Sequence, residues 1–480
     1  MKACIRPILI ILSSVLLCAC VVSCLMLPYM AVDTPFYTLI GRSMLHDQIL
    51  PYRYIFDHKP LFGFLLYGLW DSVMPVKTGM FTILALVCAA ATSAVARAIW
   101  KTGGITLFLI LIAAGTSFEI LSGNTESFQI LLQISILSLL RTSSLPGIFA
   151  TGIATLLTIN INYLTAVCLF APVLFLLLTR PSPVKRTASF SAGFIAGAAL
   201  LFSPYLLHDP QALADYFRQQ RNFLHAYGAD SKERLLTLRT AATWLAFFVP
   251  PLALWIRKYI VRVQGKISRD DLLLLIWFLS GLPAACLSGH AFAHYNLLWF
   301  TPVAIMTARL LQDSLRPAGL RIALIPAILL TGFSLVQVTA DNIKKYKRFS
   351  HIDYRRLSSL THGEPVLNIR AREALFYLAN MKTADPYLFR EHIDIVFGPH
   401  AAEHYLRDLS RNPPFVLLTW DGCGNGKIEA PVCAYLRAHY RKAESVKITS
   451  RSGKIHSLSF DLYRYTSDAA SLNPQPGASP

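Results

Sequence analysis

Apolar residues in this chain come in long blocks rather than in alternation. Eleven stretches, 7–32, 78–97, 103–118, 127–140, 145–159, 163–179, 187–206, 240–256, 271–287, 293–310 and 319–338, carry few charges. A helix needs about 20 mostly apolar residues to cross a bilayer core, fewer when it is short or broken. The pattern predicts a polytopic α-helical membrane protein with about eleven transmembrane helices. Asn160 and Asn162 mark the turn that divides the two short stretches between Pro146 and Thr179. At the start, Lys2 and Arg6 precede an apolar run that is long for the core of a cleaved signal, and the cysteines around Cys20 make a poor lipoprotein cleavage site. An uncleaved first span is the expectation.

The polar punctuation between the blocks sets the orientation. One set of connections carries Lys2 and Arg6; Arg97 and Lys101; Arg141; Arg180, Lys185 and Arg186; Arg257 through Arg269; and Arg309, Arg316 and Arg321. The opposite set carries Glu119, Glu126, an Asn-Tyr turn and the nearly neutral SGHAFAH. Every other connection is therefore basic, which predicts a cytoplasmic N-terminus and a C-terminal region across the membrane.

Composition agrees. Hydrophobic residues make up 54% of the 480 and charged ones only 15%, where a soluble protein carries roughly 25%. The formal net charge of +18 raises the question of nucleic acid. Its confinement to short connections assigns it to membrane orientation instead, so no nucleic-acid partner is expected.

Two long segments, 33–77 and 207–239, fall on the far side of the membrane and read as short amphipathic helices at the interface, rich in Tyr, Trp and Arg. With the spans they make a module covering 1–340. Residues 341–466 lose the apolar blocks, contain strand-like runs such as PFVLLTW, and read as a small periplasmic α/β domain. The Pro/Ser-rich tail 467–480 reads as disordered. Seven of the nine cysteines lie in or beside apolar blocks, where cysteine behaves as a small hydrophobe. Cys423 and Cys433 stand close together in the polar region, and export would let them form a disulfide.

The ionisable residues near the membrane gather on one side. Asp33 closes the first apolar block; Asp57, His58 and Lys59 precede Pro60; Glu126, with Glu119 nearby, opens a later block; His290, His294 and Tyr295 stand at the start of another. The middles of the blocks hold almost no charge, whereas a transporter usually keeps its charged groups near the bilayer midplane. A site at the outer interface follows, suited to a substrate borne on a lipid. The run from Asp421 to Gly426 faintly resembles a calcium loop but has Cys at the third position and no Glu at the twelfth, so it reads as a Gly-rich turn.

The motifs DTPFYTLIGRSML and ILPYRYIFDHKPLFGFLLYGL resemble the first periplasmic loop of GT-C glycosyltransferases, most closely glycosyltransferase family 39, which includes protein O-mannosyltransferases and lipid A aminoarabinose transferases. GNTESFQILL, GHAFAHYNLLWFTP and PPFVLLTWDG are similar to later parts of that pattern. The resemblance implies transfer of a sugar from a polyprenyl-phosphate carrier, on the periplasmic face of a bacterial inner membrane. The acceptor would be a glycolipid, a polysaccharide or a protein. It places Asp33 as general base, with Glu126 orienting the acceptor or holding a cation. Lys59, with His294 and Tyr295, would face the carrier phosphate, and Arg218 and Arg221 could steer it. Some relatives carry a metal-ligating Glu before the lysine; here Asp57 and His58 stand there as candidate ligands for a divalent ion, the one cofactor in view. A lipid-linked sugar flippase or polymerase, and a non-catalytic membrane scaffold, are the rival readings.

Overall fold

The computed structural model describes residues 2–52, 55–74, 76–141, 144–226, 231–261, 267–313, 318–349, 352–424, 426–447 and 458–466. The tail 467–480, expected to be disordered, lies outside the described residues. The chain forms two compact units: one of residues 1–37, 59–210 and 228–346, the other of 38–58, 211–227 and 347–480.

Each of the eleven apolar stretches contains a helix. In chain order, with the inter-span helices, these are α1 (Lys2–Leu25), α2 (Asp33–His46), α3 (Leu61–Val73), α4 (Met80–Trp100), α5 (Gly104–Gly115), α6 (Thr125–Leu140), α7 (Leu145–Ile159), α8 (Leu164–Leu178), α9 (Pro183–His208), α10 (Pro210–Ala226), α11 (Ser231–Ile256), α12 (Arg269–Leu287), α13 (Leu297–Asp313) and α14 (Ala318–Phe349). Among the described residues, five helical segments are long and apolar enough to cross a membrane: Met80–Trp100, Pro183–His208, Lys232–Val261, Arg269–Leu287 and Ile322–Lys347. Helices α5 to α8 have 12 to 16 residues, a reach of about 18–24 Å against a hydrocarbon core of about 30 Å.

Burial in the helical unit follows the 3.6-residue period. On α4 the buried positions Phe81, Ala85, Cys88, Ala89, Thr92 and Ala96 run down one stripe, while Val87 points outward. Large apolar side chains exposed elsewhere, such as Phe170 at 70% and Ile195 at 68%, have lipid as their natural solvent. Helix α13 is the exception, buried on every side from Leu297 to Ala308. It is the middle of the bundle, with Trp299 and Phe300 packed against Phe118 and Phe248. Helices α7 and α9 meet at backbone contact: a methyl on Gly193 would lie 1.9 Å from the Phe149 carbonyl oxygen, and one on Gly152 would lie 2.1 Å from that of Phe190. Small residues at a crossing are how membrane helices gain dispersion contacts when lipid offers no hydrophobic drive.

Two boundaries differ most from the hydropathy reading. Helix α11 begins at Ser231, ahead of its apolar part, because Lys232, Glu233, Arg234 and Arg239 interrupt hydropathy without interrupting helix formation. Helix α14 likewise runs past the end of its apolar stretch at residue 338, as far as Phe349.

The second unit is built on a five-stranded sheet. Its elements are α15 (Tyr354–Thr361), β1 (Pro365–Ile369), α16 (Ala374–Leu378), β2 (Lys382–Thr383), α17 (Arg390–Phe397), α18 (Ala401–Leu409), β3 (Phe415–Thr419), α19 (Ala430–His439), β4 (Tyr440–Val446) and β5 (Phe460–Tyr465). The strand order is β2-β1-β3-β5-β4, with β2, β1 and β3 parallel and β5 antiparallel to β3 and β4. Strands β1 and β3 are apolar and buried at almost every position, as in a sheet covered on both faces. Cys423 and Cys433 are joined, with Cα atoms 5.6 Å apart. The segment before Lys59 docks on this unit: the Phe56 amide donates to the Pro386 carbonyl at 2.8 Å, and Gln220 of α10 donates to the Tyr52 hydroxyl at 2.8 Å.

Candidate active site

In the helical unit, a cavity of about 500 Å³ is bordered by Asp33, Glu119, Asn124, His294, Asp341 and Lys345. Each reaches it for a local reason. Asp33 is the first residue of α2, where the positive end of the helix dipole favours a carboxylate. Glu119 sits between two single 3-10 turns in the left-handed region, at φ 57°. Gly123 then redirects the chain into α6 at φ 67°, where a Cβ would come within 2.4 Å of the Phe81 carbonyl oxygen. His294 lies on the 3-10 turn Ala293–Asn296, ahead of α13 and outside the spanning helices. Lys345 comes from the last turns of α14.

Polar contacts tie these groups together. His294 Nδ1 is 3.2 Å from Glu119 Oε2. Burial opposes a charge on His294, but the carboxylates of Glu126 and Glu119 outweigh it and raise the pKa above the ordinary histidine value. Burial opposes ionisation of Glu119 in turn, and the hydrogen bond from His294 and its charge prevail, lowering the pKa of the carboxyl. Each group thus favours the charged form of the other. Lys59 Nζ donates to the Tyr295 hydroxyl at 3.4 Å and stands 5.5 Å from that ring's centre. Both Lys59 and His294 are nearly buried, at 7% and 9% exposure.

Glu126 has a different setting. It is fully buried in the first turn of α6, accepting from Asn162 Nδ2 at 3.1 Å and from Thr125 Oγ1 at 3.2 Å. It does not border the cavity. The structure therefore brings Asp33, Lys59, Glu126, His294 and Tyr295 into one unit, with Asp33 and His294 on the cavity wall.

Asp57, His58, Arg218 and Arg221 belong to the other unit. Arg218 is ion-paired with Asp215 one turn earlier on α10, and its side chain is 63% exposed. His58 Nδ1 lies 3.3 Å from Asp57 Oδ1 and 3.3 Å from His392 Nε2. Burial pushes the pKa of His392 down to about 3, so its imidazole is neutral. Sequence reading overlooked His392 and Lys345. Lys345 stands in NIKKYK, which hydropathy alone reads as the start of a soluble region, and only the continuing helical period points to it. His392 carries no local signal.

The helical unit, with acids and bases around its cavity, and the C-terminal α/β unit together make a fold that has a solved counterpart. The chain is similar over 96% of its length to the crystal structure of ArnT from Cupriavidus metallidurans bound to undecaprenyl phosphate, covering 98% of that chain with a TM-score of 0.60 at 11% identity. At that identity the likeness is one of fold. No protein-family model and no curated protein sequence matches the chain.

Proposed function

We propose that this protein is a glycosyltransferase that moves a sugar from a polyprenyl-phosphate carrier to a hydroxyl of an envelope acceptor (a glycolipid, a polysaccharide or a protein) on the outer face of the inner membrane. The observation that carries the reading is the pairing of an acid and cations in one unit: Asp33 on the cavity wall with His294, and Lys59 beside Tyr295. The fold supports it, because the ArnT of similar fold was crystallised with undecaprenyl phosphate. The alternation of basic connections and the Cys423–Cys433 disulfide support an outward-facing second unit.

The chemistry has two reacting oxygens. The acceptor oxygen bonds to C1 of the sugar and gives its proton to the Asp33 carboxylate. The bond from C1 to the carrier phosphate breaks, and the phosphate leaves with the electron pair. Lys59 and His294 supply positive charge against that growing anion. Glu126, buried and off the cavity wall, holds the Asn162 turn and supports the charge of His294.

Asp33→Asn keeps the shape and removes the base. In purified enzyme given polyprenyl-phosphate sugars, turnover should drop by about 10²-fold or more while donor binding persists. Near-normal turnover would sink the assignment and pass the role to Glu119 or Asp341, the other carboxylates on the wall.

A further inference from the structure

The buried hydroxyls on the cavity wall of the helical unit have partners within the chain. Ser117 Oγ lies 2.7 Å from Ser334 Oγ, Thr116 Oγ1 donates to the Ile112 carbonyl at 2.7 Å, and Ser122 Oγ donates to the Glu119 carbonyl at 2.6 Å. Asn124 differs. It borders the same cavity at 4% exposure, and its side-chain carbonyl oxygen is buried with no hydrogen-bond partner among the described residues.

The local setting makes this oxygen unusual. Asn124 is the N-cap of α6, at φ −60° and ψ 169°, and its main-chain carbonyl accepts from the Ser127 amide at 2.9 Å. An asparagine in that position ordinarily turns its side-chain oxygen onto the amide of the second or third helical residue, which satisfies both groups. No such bond is made here. The oxygen has left water without gaining a partner in the chain, and a buried acceptor left unpaired bears its desolvation penalty in full.

The turn that carries Asn124 is held by its neighbours. Tyr67 Oη donates to the Gly123 carbonyl at 2.7 Å and Thr82 Oγ1 to the Leu121 carbonyl at 3.1 Å, which ties the approach to α6 onto α3 and α4. Gly123 is itself pressed against the Phe81 carbonyl. The position of Asn124 is thus set without help from its own side chain. Its amide is placed in advance for a partner from outside the chain, so little ordering cost falls on binding.

We propose that Asn124 Oδ1 accepts a hydrogen bond from a hydroxyl of the transferred sugar and so helps to set which sugar the protein uses. The inference rests on the transfer reaction proposed above. In that reaction the reacting hydroxyl of the acceptor gives its proton to Asp33, and Lys59 and His294 face the carrier phosphate. The hydroxyls that every donor must also bring into the site, whatever the acceptor, are those of the sugar ring. A buried oxygen satisfied only by a substrate hydroxyl rejects the analogue that lacks it, because the oxygen is then left unpaired again.

The test uses purified full-length protein in detergent, given polyprenyl-phosphate glucose, galactose, mannose and N-acetylglucosamine, and then the monodeoxy analogues of the sugar it transfers best. In the parent, removing one particular hydroxyl should lower kcat/KM by about 10-fold or more. In Asn124→Ala that penalty should all but disappear, and in Asn124→Asp, which keeps an acceptor oxygen, it should persist. Thermal stability of Asn124→Ala should match that of the parent, since no cap bond is lost. Equal hydroxyl selectivity in parent and Asn124→Ala would overturn the proposal, as would a change confined to acceptor selectivity. A loss of stability with selectivity kept would overturn it too, making Asn124 a helix cap. No transfer from any of the donors would remove the transfer reading and this inference with it, whereas transfer with unaltered selectivity would remove this inference alone.

Discussion

The two ends of the helical unit use the same residue types to opposite purposes. At one end Arg141 meets Asp270 at 2.9 Å, Arg309 meets Asp271, and Lys258 lies 3.7 Å from Asp313. Trp100 Nε1 donates to the Asp270 carbonyl at 3.2 Å, and Arg186 donates to the Leu140 carbonyl, so side chains also close off helix termini there. At the other end Asp33, Glu119, His294 and Lys345 stand around a cavity of about 500 Å³. Counting charges would not tell these ends apart. What differs is that the pairs at one end close on one another alone, while the groups at the other, the His294–Glu119 pair included, border space that a charged substrate can fill.

The largest expected effect beyond the loss of the base tests the open end. Lys59→Ala removes a nearly buried cation, so donor binding and the chemical step should both weaken, with turnover lower by about 10²-fold. Binding and single-turnover rates measured separately on purified enzyme read the two losses. Intact donor binding would make Lys59 an interfacial anchor and erase the contrast between the ends.

At the closed end the prediction is structural. Arg309→Ala leaves Asp271, whose side chain is 7% exposed, without its main counter-charge. The unfolding free energy should fall by on the order of 3 kcal/mol, while turnover per folded molecule stays unchanged. Denaturation in mixed micelles alongside a transfer assay checks both halves. A loss of turnover without a loss of stability would show that this end takes part in the reaction.

The comparison also explains what was legible beforehand. Hydropathy located each helix of the bundle because lipid-facing and core-facing positions are both apolar, so even the enclosed α13 reads as a block. Asp33, Glu126 and His294 stood out as candidates because each sits at the edge of an apolar block, and Lys59 because of the motif around it. Lys345 did not, since α14 continues beyond its apolar part. The burial of Glu126 was hidden too: it depends on Asn162, 36 residues away, and a carboxylate at a block's edge looks exposed in sequence. His392 comes close to His58 only through the fold of the second unit, over a separation of 334 residues.

The smallest effect is the most diagnostic of how the open end works. Glu126 and Glu119 raise the pKa of His294 against the opposing effect of burial. A group whose folded pKa lies above its unfolded value contributes its charge, and the stability linked to it, at low pH and loses both as pH rises through the folded pKa. Donor affinity should therefore decline as pH is raised from the ordinary histidine value of about 6.5 through the higher value held in the site. Glu119, with its pKa lowered, stays ionised throughout and adds no slope of its own. The sugar-linked donor is the right probe, because its phosphodiester keeps a single charge over this range whereas free polyprenyl phosphate gains a second. His294→Gln preserves a hydrogen-bond donor and removes the titration, so its affinity should be a few-fold lower at the acid end and flat with pH. Equal slopes in parent and variant would mean that His294 orients Glu119 without contributing charge to the donor, leaving Lys59 as the cation that faces the phosphate.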